Sequence, residues 1–415
     1  MGFSPIPSEY PNIQDKSELQ RRVTELYQDF DVVDFAGATL VSSINTFSST
    51  QYPISELMNT GIQEIISQIN FPYSNYRMTD ARTEQEDRPS LLRSCLMTFF
   101  QHPYMGARYV DRDTLLRLFD DVVINKTHDA ASIALVYAAI ATGAKQERVQ
   151  NSNKSTDPTL AGRYFDMAAK MLPRKLGKKY TTTTFKIILT LLIYAIQWAP
   201  GEVPRYLNEC TVHAQALRLN SRRALRALCR DSQHEMQLTE GFWLLYVVEK
   251  RHSMCTGQFS VLPDSHIDHM LPTQDNNSGF QNNELVTQCL FARLCSHTIQ
   301  KLHGREAHNR QQTGEIDECV RLLQAWKVST VSECHMKALG KLSTSIQSFE
   351  LLLCIYAKEL LQPADTTRFK NALLPILNEA QDILRLLNDI DNVVMAANWY
   401  EFRVSSVSRF HSASV

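Results

Sequence analysis

Four side chains in this sequence have the spacing of metal ligands. His252 and Cys255, and again His266 and His269, are separated by two residues, as in the ligand pairs of a tetrahedral zinc site. The plainer reading is a core thiol beside surface imidazoles, because the first pair ends an apolar helix and the second falls in a loop. Asp120-Asp121, just after Phe119, is a carboxylate pair of the kind that gathers magnesium around a diphosphate. A third acidic ligand is missing, and no matching Asn, Ser and Glu set follows near Asn388-Asp389, so the two aspartates read as a solvated helix face. No Ser-His-Asp arrangement or glycine-rich phosphate loop stands out. No catalytic residue and no resident metal is expected.

Basic residues offer binding rather than catalysis. Arg222, Arg226 and Arg230 recur every four residues, with Arg218 and Arg223 nearby, which predicts one helix face able to dock an acidic partner or simply to face water. Arg174-Lys175 and Lys178-Lys179 flank Gly177, a short cluster compatible with nuclear import.

The elements that must position these residues are helices. From Thr239 to Lys250, Phe242, Leu245 and Tyr246 share one face, while Trp243, Val247 and Met254 cover much of the rest, so the helix must be buried on most sides. Gly257 is a candidate stop, and Pro263 and Pro272 bracket the loop that follows. Further helices are expected near 90–101, 112–123, 129–144, 157–172, 182–198, 203–219, 222–230, 284–303, 313–327, 341–362, 367–388 and 390–404, with Pro375 kinking one of them. No strand alternation competes, so the fold class is all-α. Near the N-terminus, Ser17 and Gln20 form a capping box ahead of Leu19, Val23, Leu26, Phe30 and Val33, the four-and-three spacing of a short coiled coil. Polar passages set the expected organisation: an N-terminal region over 1–89, a core over 90–275, and a C-terminal helical part of the same body over 276–415.

Composition excludes several classes. The 415 residues are 44% hydrophobic and 21% charged, with a net charge of −1, the balance of a soluble globular protein rather than of one that coats DNA or an anionic membrane. The longest apolar runs, Ala131 to Ala144 and Ile187 to Ala199, fall short of the roughly 20 residues that cross a bilayer, and the N-terminus lacks the pattern of a signal peptide. An intracellular chain with no membrane partner is therefore expected. Its nine cysteines are scattered and never two residues apart, which predicts reduced core thiols.

The segment from Leu92 to Pro272 resembles the fungal-specific transcription factor domain, the middle homology region of fungal zinc-cluster transcription factors. Phe99-Phe100 with Pro103 resembles the opening aromatic helix, and Arg163-Tyr164-Phe165-Asp166-Met167-Ala168 is similar to the Tyr-Phe helix. Phe185 through Trp198 resembles the leucine-rich helix, and Tyr206 through Leu219 resembles one that normally ends in a Leu-Gly-Leu-His phrase. Glu240, Phe242-Trp243, Leu245-Tyr246, Glu249-Lys250, Gly257, Ile267-Asp268 and Leu271-Pro272 are in register with the family's most recognisable block. There are departures: Thr239-Glu240-Gly241 replaces an arginine pair, Glu249-Lys250 replaces Asp-Arg, and Gly257-Gln258-Phe259 stands where Gly-Arg-Pro is common.

The resemblance implies a regulator of transcription, in control of a metabolic or secondary-metabolite gene set. Such factors read DNA with a cluster of six cysteines around zinc, whereas the first cysteine here is Cys95, so no zinc cofactor is expected and DNA would be engaged only indirectly. Protein partners are implied, through homodimers or heterodimers with a DNA-binding factor, and so is nuclear rather than cytoplasmic localisation. A small-molecule effector would sit near the main block, where Trp243, Tyr246, His252 and Gln258 offer an apolar wall with a few polar handles; the alternative is that all four are packing. Two other classes stand beside this reading. One is a helical scaffold with no transcriptional role; the other is a helical enzyme, since Asp120-Asp121 resembles the metal-binding aspartates of terpene synthases.

Overall fold

The structure, a computed structural model, describes residues 88–100, 109–125, 129–150, 159–172, 180–256, 260–269, 271, 279–302, 313–333, 338–361 and 366–388. The Leu19–Val33 seam, the basic cluster at 174–179, residues 257–259 with Gly257 and Gln258, and the expected helix at 390–404 lie outside these residues. The described residues form an all-α fold without strands. In chain order the helices are α1 (Pro89–Phe100), α2 (Arg112–Phe119), α3 (Ala130–Gln150), α4 (Leu160–Met171), α5 (Thr182–Trp198), α6 (Val203–Ala216), α7 (Arg222–Leu228) and α8 (Ser232–Thr256). They continue as α9 (Gly279–Leu302), α10 (Thr313–Glu333), α11 (Ala338–Ile355), α12 (Ala357–Leu361) and α13 (Thr366–Asn388).

Local chemistry sets the starts. Asp111 caps α2 by accepting from the Thr114 N–H at 2.8 Å, Thr181 caps α5 through the Thr184 N–H at 3.1 Å, and Asp231 accepts from the His234 N–H at 2.7 Å at the head of α8. That last cap starts α8 at Ser232, seven residues before the apolar pattern begins at Thr239. Its opening residues, Ser232 to Glu235, are polar and at least partly exposed, so periodicity could not register them.

Several helix ends differ from expectation. α2 stops at Phe119 and passes into a π-helical turn, Asp120–Ile124. α6 stops at Ala216 instead of 219, because Arg218 takes the left-handed conformation, φ 52°. The Arg218 N–H then reaches the Gln215 carbonyl at 3.0 Å and the Leu219 N–H the Ala214 carbonyl at 2.9 Å, which is the Schellman closure. α7 stops at Leu228, since Cys229 is extended; Arg230 therefore lies beyond the helix and does not share a face with Arg222 and Arg226. The expected helix over 341–362 is broken at Tyr356 into α11 and α12, whereas α13 runs through Pro375.

Two cores result. The first is built from α1 to α8, with α3 packed against α1, α4 and α5. Gly143 is required there, because a Cβ at that position would collide with the Cys95 carbonyl oxygen of α1. The second core joins α9, α10, α11 and α13 to Met254 and Cys255 at the end of α8. α8 thus reaches both, as does α9, whose Cys289 and Ala292 belong to the first core and Phe291 and Cys295 to the second.

Candidate functional site

Glu249, Lys250, Arg251 and His252 are consecutive on α8 and all buried, at 1%, 1%, 0% and 8% exposure. Four successive residues of a helix point in all directions, so this stretch is enclosed on every side. Burial of so much charge is unfavourable unless each group finds partners, and the partners define the site.

A strap, residues 260–271, covers one side. The Glu249 carboxylate accepts from the Val261 N–H at 2.7 Å and from the hydroxyls of Ser260 at 3.0 Å and Ser253 at 3.2 Å. Lys250 Nζ donates to Ser260 Oγ at 2.8 Å and pairs with Asp264 at 3.3 Å. Tyr246 donates its hydroxyl to the same Asp264 at 2.7 Å, and its ring lies 5.2 Å from the ammonium. Burial, and then the Asp264 carboxylate, push the Tyr246 phenol far above its ordinary value, so it stays a donor.

The strap's far end grips the α6–α7 turn. Asp268 accepts from the Arg222 N–H and from Ser221 Oγ at 3.2 Å, capping α7 from a distant part of the chain because Ser221 makes no side-chain cap bond of its own. Asn220 Nδ2 donates to the His266 carbonyl at 2.7 Å, and the Asp268 N–H to the Asn220 carbonyl at 3.2 Å. His269 Nε2 lies 2.6 Å from the Leu219 carbonyl, which makes that nitrogen the protonated one. Its ring rests against Phe242 at 5.7 Å.

On the opposite side of α8, Arg251 Nη2 meets Glu350 of α11 at 3.3 Å, with both side chains fully buried, and the guanidinium lies 5.9 Å from the Phe291 ring. His252 is held neutral: burial pulls its imidazole down to about 4.

The structure brings together only part of the residues singled out from sequence. Trp243 and Tyr246 are fully buried, their rings 5.2 Å apart and edge to face, with Arg293 over Trp243 at 5.5 Å. His252 lies nearly two turns beyond Tyr246 on α8, and Gln258 is outside the described residues. Of the arginines, Arg226 pairs with Glu235 of α8 at 3.2 Å, and Arg222 gives its backbone N–H to Asp268. Among the aspartates, Asp120 takes Arg93 at 2.8 Å and Asp121 takes Asn125 at 3.0 Å, both on the partly solvated π-turn. His266 and His269 serve the strap's backbone contacts. Sequence reading missed the roles of Asp264 and Asp268, and it missed Glu350 altogether. Glu350 lies 99 positions from Arg251, with nothing in its own neighbourhood to mark it.

Comparison with known proteins bears on the same segment. The family described as the fungal specific transcription factor domain matches residues 96–303, half of the chain, from α1 through α9. The chain belongs to this fungal transcription factor family. The AAl-toxin cluster-specific transcription factor ALT13 of Alternaria alternata is 22% identical over 230 residues, which is 55% of this chain and 36% of that protein. The chain thus spans little more than a third of the length of the relative it matches. No solved structure matches. Membership places the chain in a family of transcription factors. Among the described residues no helix is long and apolar enough to cross a membrane.

Proposed function

We propose that this protein regulates transcription in the nucleus, in control of a metabolic gene set, with the strap and the C-terminal half of α8 as its regulatory element. The observation that carries the reading is the family match over 96–303, which includes α8 and the strap that clasps it. The relative's named role in a toxin cluster supports a secondary-metabolite gene set as the target. On this reading the chain contributes regulation rather than base readout. DNA is engaged through a protein partner, as a homodimer or as a heterodimer with a DNA-binding factor. Arg222 and Arg226, on the outer side of α7, offer the partner a basic patch that the strap holds in place. A small-molecule effector would act along the same part of α8, near Trp243, Tyr246 and His252, by exchanging the Asp264 contacts for its own.

The test fuses the full chain to an unrelated DNA-binding domain and reads a reporter in a fungal host, with Asp264→Ala as the comparison. Expected are nuclear accumulation, a reporter level that departs from that of the DNA-binding domain alone, and a change in that level on Asp264→Ala. A fusion that stays in the cytoplasm with the reporter at baseline overturns the proposal in favour of a scaffold without transcriptional role.

A further inference from the structure

At the other end of α8 lies a cluster that the strap does not use. Lys186, in the second turn of α5, retains some exposure and points its amine at a neutral acceptor, Gln237 Oε1, 2.6 Å away. Among the described residues it forms no ion pair. The nearby carboxylate, Asp111, is engaged by the Thr114 N–H and by Gln233 Nε2, each at 2.8 Å. Cys229, at the end of α7, and His234, in the first turn of α8, lie within electrostatic reach of the amine. His234 Nδ1 is buried and has no hydrogen-bond partner. A mostly buried ammonium whose one acceptor is an amide is destabilised relative to the free amine. A neighbouring imidazole with an open nitrogen can take up a proton and return it.

We propose that Lys186 is a covalent docking point for a small uncharged aldehyde, at the place where the N-terminal turns of α2, α5 and α8 meet. The neutral Nζ adds its lone pair to the carbonyl carbon, and the carbonyl π pair moves to oxygen, which takes a proton. Nitrogen sheds its two protons in turn through His234: the first goes to that oxygen to give the carbinolamine, and the second to the hydroxyl as the C–O bond breaks, water leaves and the nitrogen lone pair closes the C=N bond. Amine and aldehyde become imine and water, with no change of oxidation state. Burial supports the step by pulling the Lys186 amine down to about 8. That leaves roughly a quarter of it neutral at pH 7.5, against about one part in a thousand for an ordinary lysine. The charges around the amine set the class: Asp111 faces the amine, Asp231 and Arg230 face His234 with opposite signs, and Glu235 is paired with Arg226, so a carboxylate or phosphate on the carbonyl compound finds no surplus of positive charge to hold it. The inference stands on this chemistry and does not depend on the transcriptional reading.

The experiment exposes the full-length protein to butanal and sodium cyanoborohydride at pH 7.5 and maps alkylated lysines by peptide mass spectrometry. Lys186 is expected to be captured about 20-fold faster than the exposed Lys170, Lys341 and Lys370, a discount on the neutral-amine ratio for restricted access. Gln237→Leu, which removes the acceptor that favours the ammonium, should raise the rate further with an unchanged helical circular dichroism spectrum. Lys186→Arg should abolish the fast phase. Capture of Lys186 no faster than of the exposed lysines overturns the site. Capture of glyoxylate as fast as of butanal overturns the uncharged class.

Discussion

Two stretches of α8, Leu238–Val248 and Glu249–His252, are both buried and are held by opposite physics. From Leu238 to Val248 the helix is packed by Phe242, Trp243, Leu245 and Val247 against the first core, and it passes close to α5 at Gly241, where an added Cβ would lie 3.1 Å from Phe185. From Glu249 to His252 it is held by charges and hydrogen bonds that reach the strap on one side and α11 on the other. Dispersion and the hydrophobic effect are non-directional and tolerate change. A buried ion network is directional, sensitive to pH, and fails when one member is removed. The first half suits a scaffold, and the second suits an element with two states.

The comparison can be broken most directly at Arg251 and Glu350. Glu350→Ala should cost about 4 kcal/mol in urea unfolding, by stranding a buried guanidinium, while Arg251→Met with Glu350→Leu should recover most of it. A single variant that loses under about 1 kcal/mol would show that the buried pair is not what holds the ionic half. In the apolar half, Leu245→Ala should cost about 3 kcal/mol, by the same amount at pH 5 and pH 7.

The pH response then separates the halves. His252 has a folded value of about 4 against 6.5 unfolded, so the unfolded chain binds the proton first as pH falls. Its contribution to stability is complete above 6.5 and is lost between there and 4, with a slope approaching 1.4 kcal/mol per pH unit, or about that. His252→Leu should flatten the curve in that window, and an unchanged slope would remove His252 from the account.

Smaller effects lie at the strap's far end. Asp268→Ala should cost about 1 kcal/mol, the worth of a helix cap, and should speed amide hydrogen exchange at Arg222. Arg218→Gly works in the opposite direction. Arginine sits at φ 52° where the family phrase carries glycine, and restoring glycine should stabilise by about 1 kcal/mol as read from the melting temperature. A loss of stability there would mean that the Arg218 side chain holds contacts worth more than the strain.

The main helices were legible because their burial is one-dimensional information. α5 coincides with the expected 182–198 and α8 ends at Thr256, one residue before Gly257. In each case an unbroken apolar pattern ran up to a recognisable stop, although the polar start of α8 lay outside it. Ends set by partners elsewhere were not legible. Cys229 becomes extended where the arginine spacing argued for more helix, and Leu217 to Asn220 form a turn that the strap secures. The charged residues at the end of α8 were visible as a departure from the family pattern, Glu249-Lys250 for Asp-Arg. Nothing local said that Lys250 would find Asp264, or that Arg251 would find Glu350.

By itself the sequence determined the helical class, the buried character of α8 and the family, since these depend on periodicity and on the order of motifs along one chain. Only the tertiary structure decided which charges are buried, which aspartate caps which helix, and which amine is left with a neutral acceptor. Those outcomes depend on groups tens of residues apart being desolvated together, and the stability of a buried charge is set by its neighbours in space rather than by its place in the chain.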